Sequence, residues 1–166
     1  DDTVLSDSQA ICEFLDELQP EPSLLGRGLH ERAEVRRLVT WFDRKFDFEV
    51  GDKLIGEKVM KRFLGLGEPD SGAIRAAQKN IHTHLQYITF LVERRHWLGG
   101  EELSLADITA AAHLSTVDYL GDVPWADHKP AKNWYTRIKS RPSMRPILAE
   151  RIPRLPAAKH YSDLDF

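Results

Sequence analysis

Five groups of residues in this chain have types and spacing that could do chemistry. Asp7-Ser8 follows a β-prone run and opens a helical pattern. Free N–H groups at a helix start attract anions, the Ser8 hydroxyl adds a donor, and the Asp7 carboxylate could take an ammonium. Such a pair suits an amino-acid zwitterion, while the plainer reading is N-capping. Cys12 lies four residues further on, past the first turn and among acids, so a packed structural thiol fits better than a thiolate nucleophile. His82 and His84 are two apart on a helix, face different ways and cannot share a metal. In Leu103-Ser104-Leu105-Ala106-Asp107-Ile108, Ser104 stands as N-cap and Asp107 three residues in, the arrangement of a capping box, with Leu103 and Ile108 as its hydrophobic staple. That motif predicts a folding device. Trp41, Phe42, Phe46 and Phe48 give one helix an aromatic surplus. It reads as core, with an apolar substrate cleft or partner surface around Trp41, Phe42 and Lys45 as the alternative. No metal site, Gly-rich phosphate loop or Ser–His–Asp arrangement follows from the spacing, and no catalytic residue is identified.

The elements that must position these groups are nearly all helical. Thr3-Val4-Leu5 predicts a short strand, and Ile11, Phe14, Leu15 and Leu18 a helix that stops before Pro20-Glu21-Pro22. Val35, Val39, Phe42 and Phe46 continue at helical spacing, with Gly51 expected to break or bend that helix and Gly65, Gly67 and Pro69 to end it. Ile74, Ala77, Ile81, Leu85, Ile88 and Val92 give the cleanest amphipathic pattern. A further helix starts at Leu105 and runs to Gly121, its Ala110-Ala111-Ala112 run allowing close approach of a neighbour. Another spans Ala131, Trp134 and Ile138, and a short one is expected between Met144 and Ile152, before a tail opened by Pro153 and Pro156.

The chain has 166 residues, 42% of them hydrophobic and 30% charged, with a formal net charge of −3 and a pI near 6.2. These values suit a globular protein and exclude a globally basic nucleic-acid binder. A single cysteine excludes a disulfide framework and fits a reducing, cytoplasmic setting. No apolar run approaches the ~20 residues of a membrane span, so no membrane insertion is expected. Residues 1–21 hold seven acids and no Lys or Arg, whereas residues 137–159 hold seven bases and one acid. Two solvated faces account for this, and a basic patch for an acidic partner is the sharper alternative. The chain opens at Asp1 rather than Met, and an absent N-terminus is expected.

Trp97-Leu98-Gly99-Gly100 followed by Leu103-Ser104-Leu105-Ala106-Asp107 resembles the capping signature in the C-terminal helical domain of cytosolic glutathione S-transferases. Lys132-Asn133-Trp134-Tyr135-Thr136-Arg137 with Arg141-Pro142-Ser143 resembles the family's next helix and its exit, and Leu5-Ser6-Asp7-Ser8-Gln9-Ala10-Ile11 the last strand and helix of its thioredoxin-like domain. The resemblance implies a mainly α fold: a transferase C-terminal-like helical bundle preceded by a strand–helix remnant of a thioredoxin-like domain. It divides the chain into residues 1–19 (end of the thioredoxin-like domain), 20–28 (linker), 29–152 (all-α domain) and 153–166 (tail). It also implies that Asp7 and Ser8 hold the γ-glutamyl end of glutathione, as substrate or ligand and with no other cofactor, that the thiol-activating residue lies upstream of Asp1, and that the protein is a homodimer. The tail, Pro156 to Phe166, is similar to the end of the FtsZ-localised, glutathione-transferase-like cell-division proteins of alphaproteobacteria. That similarity implies binding to FtsZ filaments without catalysis, with Asp163, Asp165 and Phe166 in the contact. The alternative is an active transferase that conjugates glutathione to small electrophiles.

Overall fold

The computed structural model describes residues 4–164, and they form a helical assembly. The expected Asp165 and Phe166 contacts therefore lie outside the described residues. Helix α1 (Ser8–Leu18) starts where the Asp7 carboxylate accepts the amides of Gln9 (2.9 Å) and Ala10 (3.2 Å). Of the expected strand–helix pair only the helix forms among these residues: Val4 and Leu5 carry no regular structure, and Thr3 lies outside the description. A strand needs a neighbour to take its backbone hydrogen bonds, and among the described residues none pairs with Val4. Arg36 grips Glu13 with two bonds (2.9 and 2.7 Å), tying α1 to the next helix. Asp16 takes the Ser23 hydroxyl at 3.0 Å and the Leu24 amide, so the proline-rich connection is fastened rather than loose.

From Leu29 to Leu64 the chain forms one rod: α2 (Leu29–Thr40), a wide π-wound stretch (Trp41–Gly51), α3 (Asp52–Ile55), a second π stretch (Gly56–Met60) and α4 (Lys61–Leu64). Gly51 does not break it. Its backbone is helical (φ −59°, ψ −59°) and it is buried within the rod. The expected stop is Gly65, at φ 64°, a left-handed C-cap that favours glycine. Asp70 then caps the long α5 (Ser71–Val92) through the amides of Gly72 (2.7 Å) and Ala73 (3.2 Å). Helix α6 (Leu105–Tyr119) follows, then α7 (Lys129–Lys139) and α8 (Arg145–Ala149).

Helix α6 is the centre of the bundle. Ala106, Ala110, Ala111, Leu114 and Val117 are 0–1% exposed, and α2, the π stretch and α7 surround them. Burial on most of its faces places this helix inside, and its alanines let the neighbours close in. From α5, Ala77, Ile81, Leu85 and Ile88 complete this core against the rod and α7. Among the described residues no helix is long and apolar enough to cross a membrane.

Candidate functional site

Asp107 is fully buried and accepts four bonds: from the Ser104 amide (3.0 Å) and hydroxyl (2.7 Å), the Leu98 amide (2.8 Å) and the Trp134 indole Nε1 (2.8 Å). The Ser104–Asp107 box caps α6, and the same carboxylate bolts the Trp97–Gly100 turn and α7 to that cap. Every bond runs to protein, which is structural work.

Phe42 is not part of a surface. It and Phe46 are 0% exposed and pack in the core, which corrects the expectation of an apolar face at Trp41, Phe42 and Lys45. Phe42 continues the buried stripe of Val35 and Val39, while Trp41 beside it is half-buried and Lys45 exposed. Trp41 Nε1 donates to His84 Nδ1 (3.1 Å), and His84 Nε2 meets Glu49 Oε2 (2.9 Å), while the other oxygen of Glu49, Oε1, pairs with Lys45. Since Nδ1 accepts, the proton sits on Nε2 and the ring is neutral. Burial pushes the His84 pKa down from its ordinary value, and Glu49 opposes that only in part. As expected of residues two apart, His82 turns elsewhere, to His128 Nε2 at 2.9 Å. No group of three metal-ligating side chains occurs among the described residues.

At α1, both capping bonds go to Asp7 Oδ1, so the amides of Gln9 and Ala10 are already occupied. Ser8 is the first helical residue. Cys12 is partly buried against the core.

The most developed polar site was not singled out by the sequence. It lies where the segment after Pro153 crosses α6 and α7. Asp118, on the last turn of α6, is fully buried. Its Oδ1 accepts from Trp125 Nε1 (2.7 Å) and from His160 Nε2 (2.8 Å), and Oδ2 faces Lys139 Nζ at 3.8 Å. Lys139 is itself 1% exposed, and burial lowers its pKa against the pull of Asp118 and Asp163. Beside this cluster Tyr161, 3% exposed, bonds its hydroxyl to Ser115 Oγ (2.9 Å) and sets its ring 5.0 Å from Tyr119. Tyr119 holds the same segment by its backbone, accepting from the Ala158 amide (2.9 Å), and by its hydroxyl, donating to the Leu155 carbonyl (2.7 Å). The chain then turns, with the Asp163 amide on the His160 carbonyl (3.0 Å), and Asp163 is exposed.

Tyr161 also walls an apolar groove of about 640 Å³, whose other sides include Ile55 and Val59 of the rod, Ala112 and Thr116 of α6, and Ile147 of α8. Arg141 and Glu150 stand at its lining as the charged members. Arg145, Arg151, Arg154 and Lys159, on or after α8, are all exposed.

Residues 56–142 match the family described as glutathione S-transferase, C-terminal domain. FtsZ-localized protein A of Caulobacter vibrioides (strain NA1000 / CB15N) is 54% identical over 163 residues, covering 98% of this chain and 72% of that protein. The fold matches FzlA from C. crescentus with a TM-score of 0.95 at 54% identity, over 99% of this chain and 73% of that one. It matches a glutathione S-transferase from Rhodospirillum rubrum F11 with a TM-score of 0.93 at 57% identity, over 98% and 73%. The helical order, the Ser104–Asp107 cap and these likenesses agree, and the chain belongs to the glutathione S-transferase family through its C-terminal domain.

Proposed function

We propose that this protein is a partner-binding member of its family, associating with FtsZ filaments in the cytoplasm through its C-terminal segment. The observation that carries the reading is the seat of that segment: His160 and Tyr161 are held down on α6, while Asp163 stands exposed beyond them. A relative named for FtsZ localisation is 54% identical across 98% of this chain, which supports the same assignment. Electrostatic complementarity would then set partner choice and encounter rate, and Asp163 would be a contact residue. Asp165 and Phe166 would extend the contact, and the protein would act as a homodimer. Co-sedimentation with FtsZ polymerised by GTP tests the reading. The wild-type protein is expected in the pellet, and Asp163→Lys, with an unchanged circular dichroism spectrum, in the supernatant. Equal pelleting of the two would remove Asp163 from the contact, and failure of the wild type to pellet would defeat the reading.

A second reading, conjugation of glutathione to small electrophiles, draws on the groove of about 640 Å³ and on Asp7-Ser8 at a helix start. Against it, the amides of Gln9 and Ala10 already serve Asp7. Titration calorimetry with millimolar glutathione decides: no heat ends this reading, and saturable heat lost in Asp7→Ala restores it.

A further inference from the structure

We infer that Asp118 and His160 are positioning residues for the partner contact: the buried Asp118 carboxylate fixes His160, and His160 fixes Asp163. This rests on the FtsZ reading above. The geometry runs through one residue. The His160 side chain donates from Nε2 to Asp118 Oδ1 (2.8 Å), since a carboxylate only accepts. The His160 carbonyl accepts from the Asp163 amide (3.0 Å), closing the turn that carries Asp163, and from Lys139 Nζ (3.4 Å). The imidazole thus anchors on α6 while the backbone of the same residue sets the direction of the exposed acid.

Stability alone does not call for this arrangement. A buried carboxylate must leave water, and the bonds that compensate it tend to add little over a well-packed apolar contact. The gain from such a group is geometric: a charge-assisted bond has a narrow range of length and direction. Here Trp125 Nε1 donates to the same Oδ1 (2.7 Å), so the oxygen that His160 meets is held in place by a second bond that does not involve the tail. Tyr161, bonded to Ser115 at 2.9 Å, stops the segment from sliding along α6. Two neighbouring residues of the tail are therefore fixed to one helix, and the third after His160 inherits the orientation.

Amide hydrogen exchange and FtsZ co-sedimentation, measured on the same variants, test the inference. His160→Ala carries the test, because His160 is half-buried on the surface segment, its removal deletes no side chain of the α5 and α6 core, and Asp118 keeps its bond from Trp125. Exchange at Tyr161 and Asp163 is expected to rise about tenfold, as for loss of one hydrogen bond to a charged group, with α5 and α6 amides unchanged. Apparent affinity for FtsZ filaments is expected to fall by about the same factor. His160→Gln keeps a side-chain donor and is expected to restore both; Asp118→Asn, which weakens the anchor from the other side, is expected to resemble His160→Ala. Unchanged exchange at Tyr161 and Asp163 in His160→Ala overturns the inference. So does faster exchange with undiminished pelleting, provided Asp163→Lys abolishes pelleting. If wild-type protein does not pellet, the partner reading falls and the positioning role with it, while the exchange data report separately on the anchor.

Discussion

Asp107 and Asp118 are both fully buried carboxylates on the same helix, and they are satisfied in different ways. Asp107 has four donors around it, two of them buried groups with no alternative partner in their bonds: the Leu98 amide and the Trp134 indole. Asp107→Ala strands both, each at about 1–3 kcal/mol. Urea denaturation should show a loss of about 3–5 kcal/mol, whereas Ser104→Ala should cost only about 1 kcal/mol. Equal costs would mean that Asp107 acts as a cap and nothing more. His84 gives a pH prediction. Its folded pKa lies below the ordinary 6.5, chiefly because it is buried, and that of His128 is lowered for the same first reason. Below 6.5 the unfolded chain therefore takes up protons that the folded chain refuses, and stability must fall as pH drops from there. Urea midpoints should decrease between about pH 7.5 and about pH 5.5, less steeply in His84→Gln. A slope identical in the variant would exclude His84 as a source. The Ser104–Asp107 cap was legible because its two residues are three apart in the sequence. Asp118 was not, because His160 is 42 residues away and nothing local marks that helical acid as buried.

At the scale of elements, the caps and the long α5 follow from the sequence, and the rod does not follow fully. Val35, Val39, Phe42 and Phe46 keep an α-helical spacing that gives no warning of the wide winding from Trp41 to Gly51. All four nevertheless stay buried through that winding, so the core reading of Phe42 and Phe46 holds and only the alternative of a surface at Phe42 falls. Two glycines mark where elements depend on a missing side chain. Gly65 sits at φ 64° with open space around a would-be Cβ, so Gly65→Ala pays only backbone strain, about 1 kcal/mol. At Gly99 a Cβ would lie 2.7 Å from Ser104 Oγ and 2.9 Å from Val35 Cγ2, between the cap and α2. Gly99→Ala should therefore destabilise more than Gly65→Ala, by thermal or urea unfolding. The reverse order would show that the α6 cap yields easily.

Across the whole molecule, charge is segregated: the acids of residues 1–21 lie at one end of the sequence and the bases of residues 137–159 near the other. Arg145, Arg151, Arg154 and Lys159 are exposed, and Arg151 reaches the segment that carries Asp163 through the Ser162 hydroxyl (3.5 Å). An association steered by such charges weakens with salt. Raising ionic strength from ~0.01 M to ~0.1 M shortens the screening length from about 30 Å to about 10 Å. Co-sedimentation with FtsZ should decline over that range, and salt-independent pelleting would point instead to an apolar contact.

The crossing of α6 by the later tail also bears on how the molecule is made. Asp118 leaves the ribosome 42 residues ahead of His160. Through that interval the far end of α6 has its indole and ammonium neighbours at most, and the imidazole is still missing. The bundle can collapse around Ala110 and Leu114 early, yet its last seam is shut only when His160 and Tyr161 arrive. A nascent chain stalled between Lys139 and His160 should be protected from protease along α5 and cut readily near Tyr119, whereas release of the following segment should seal the site.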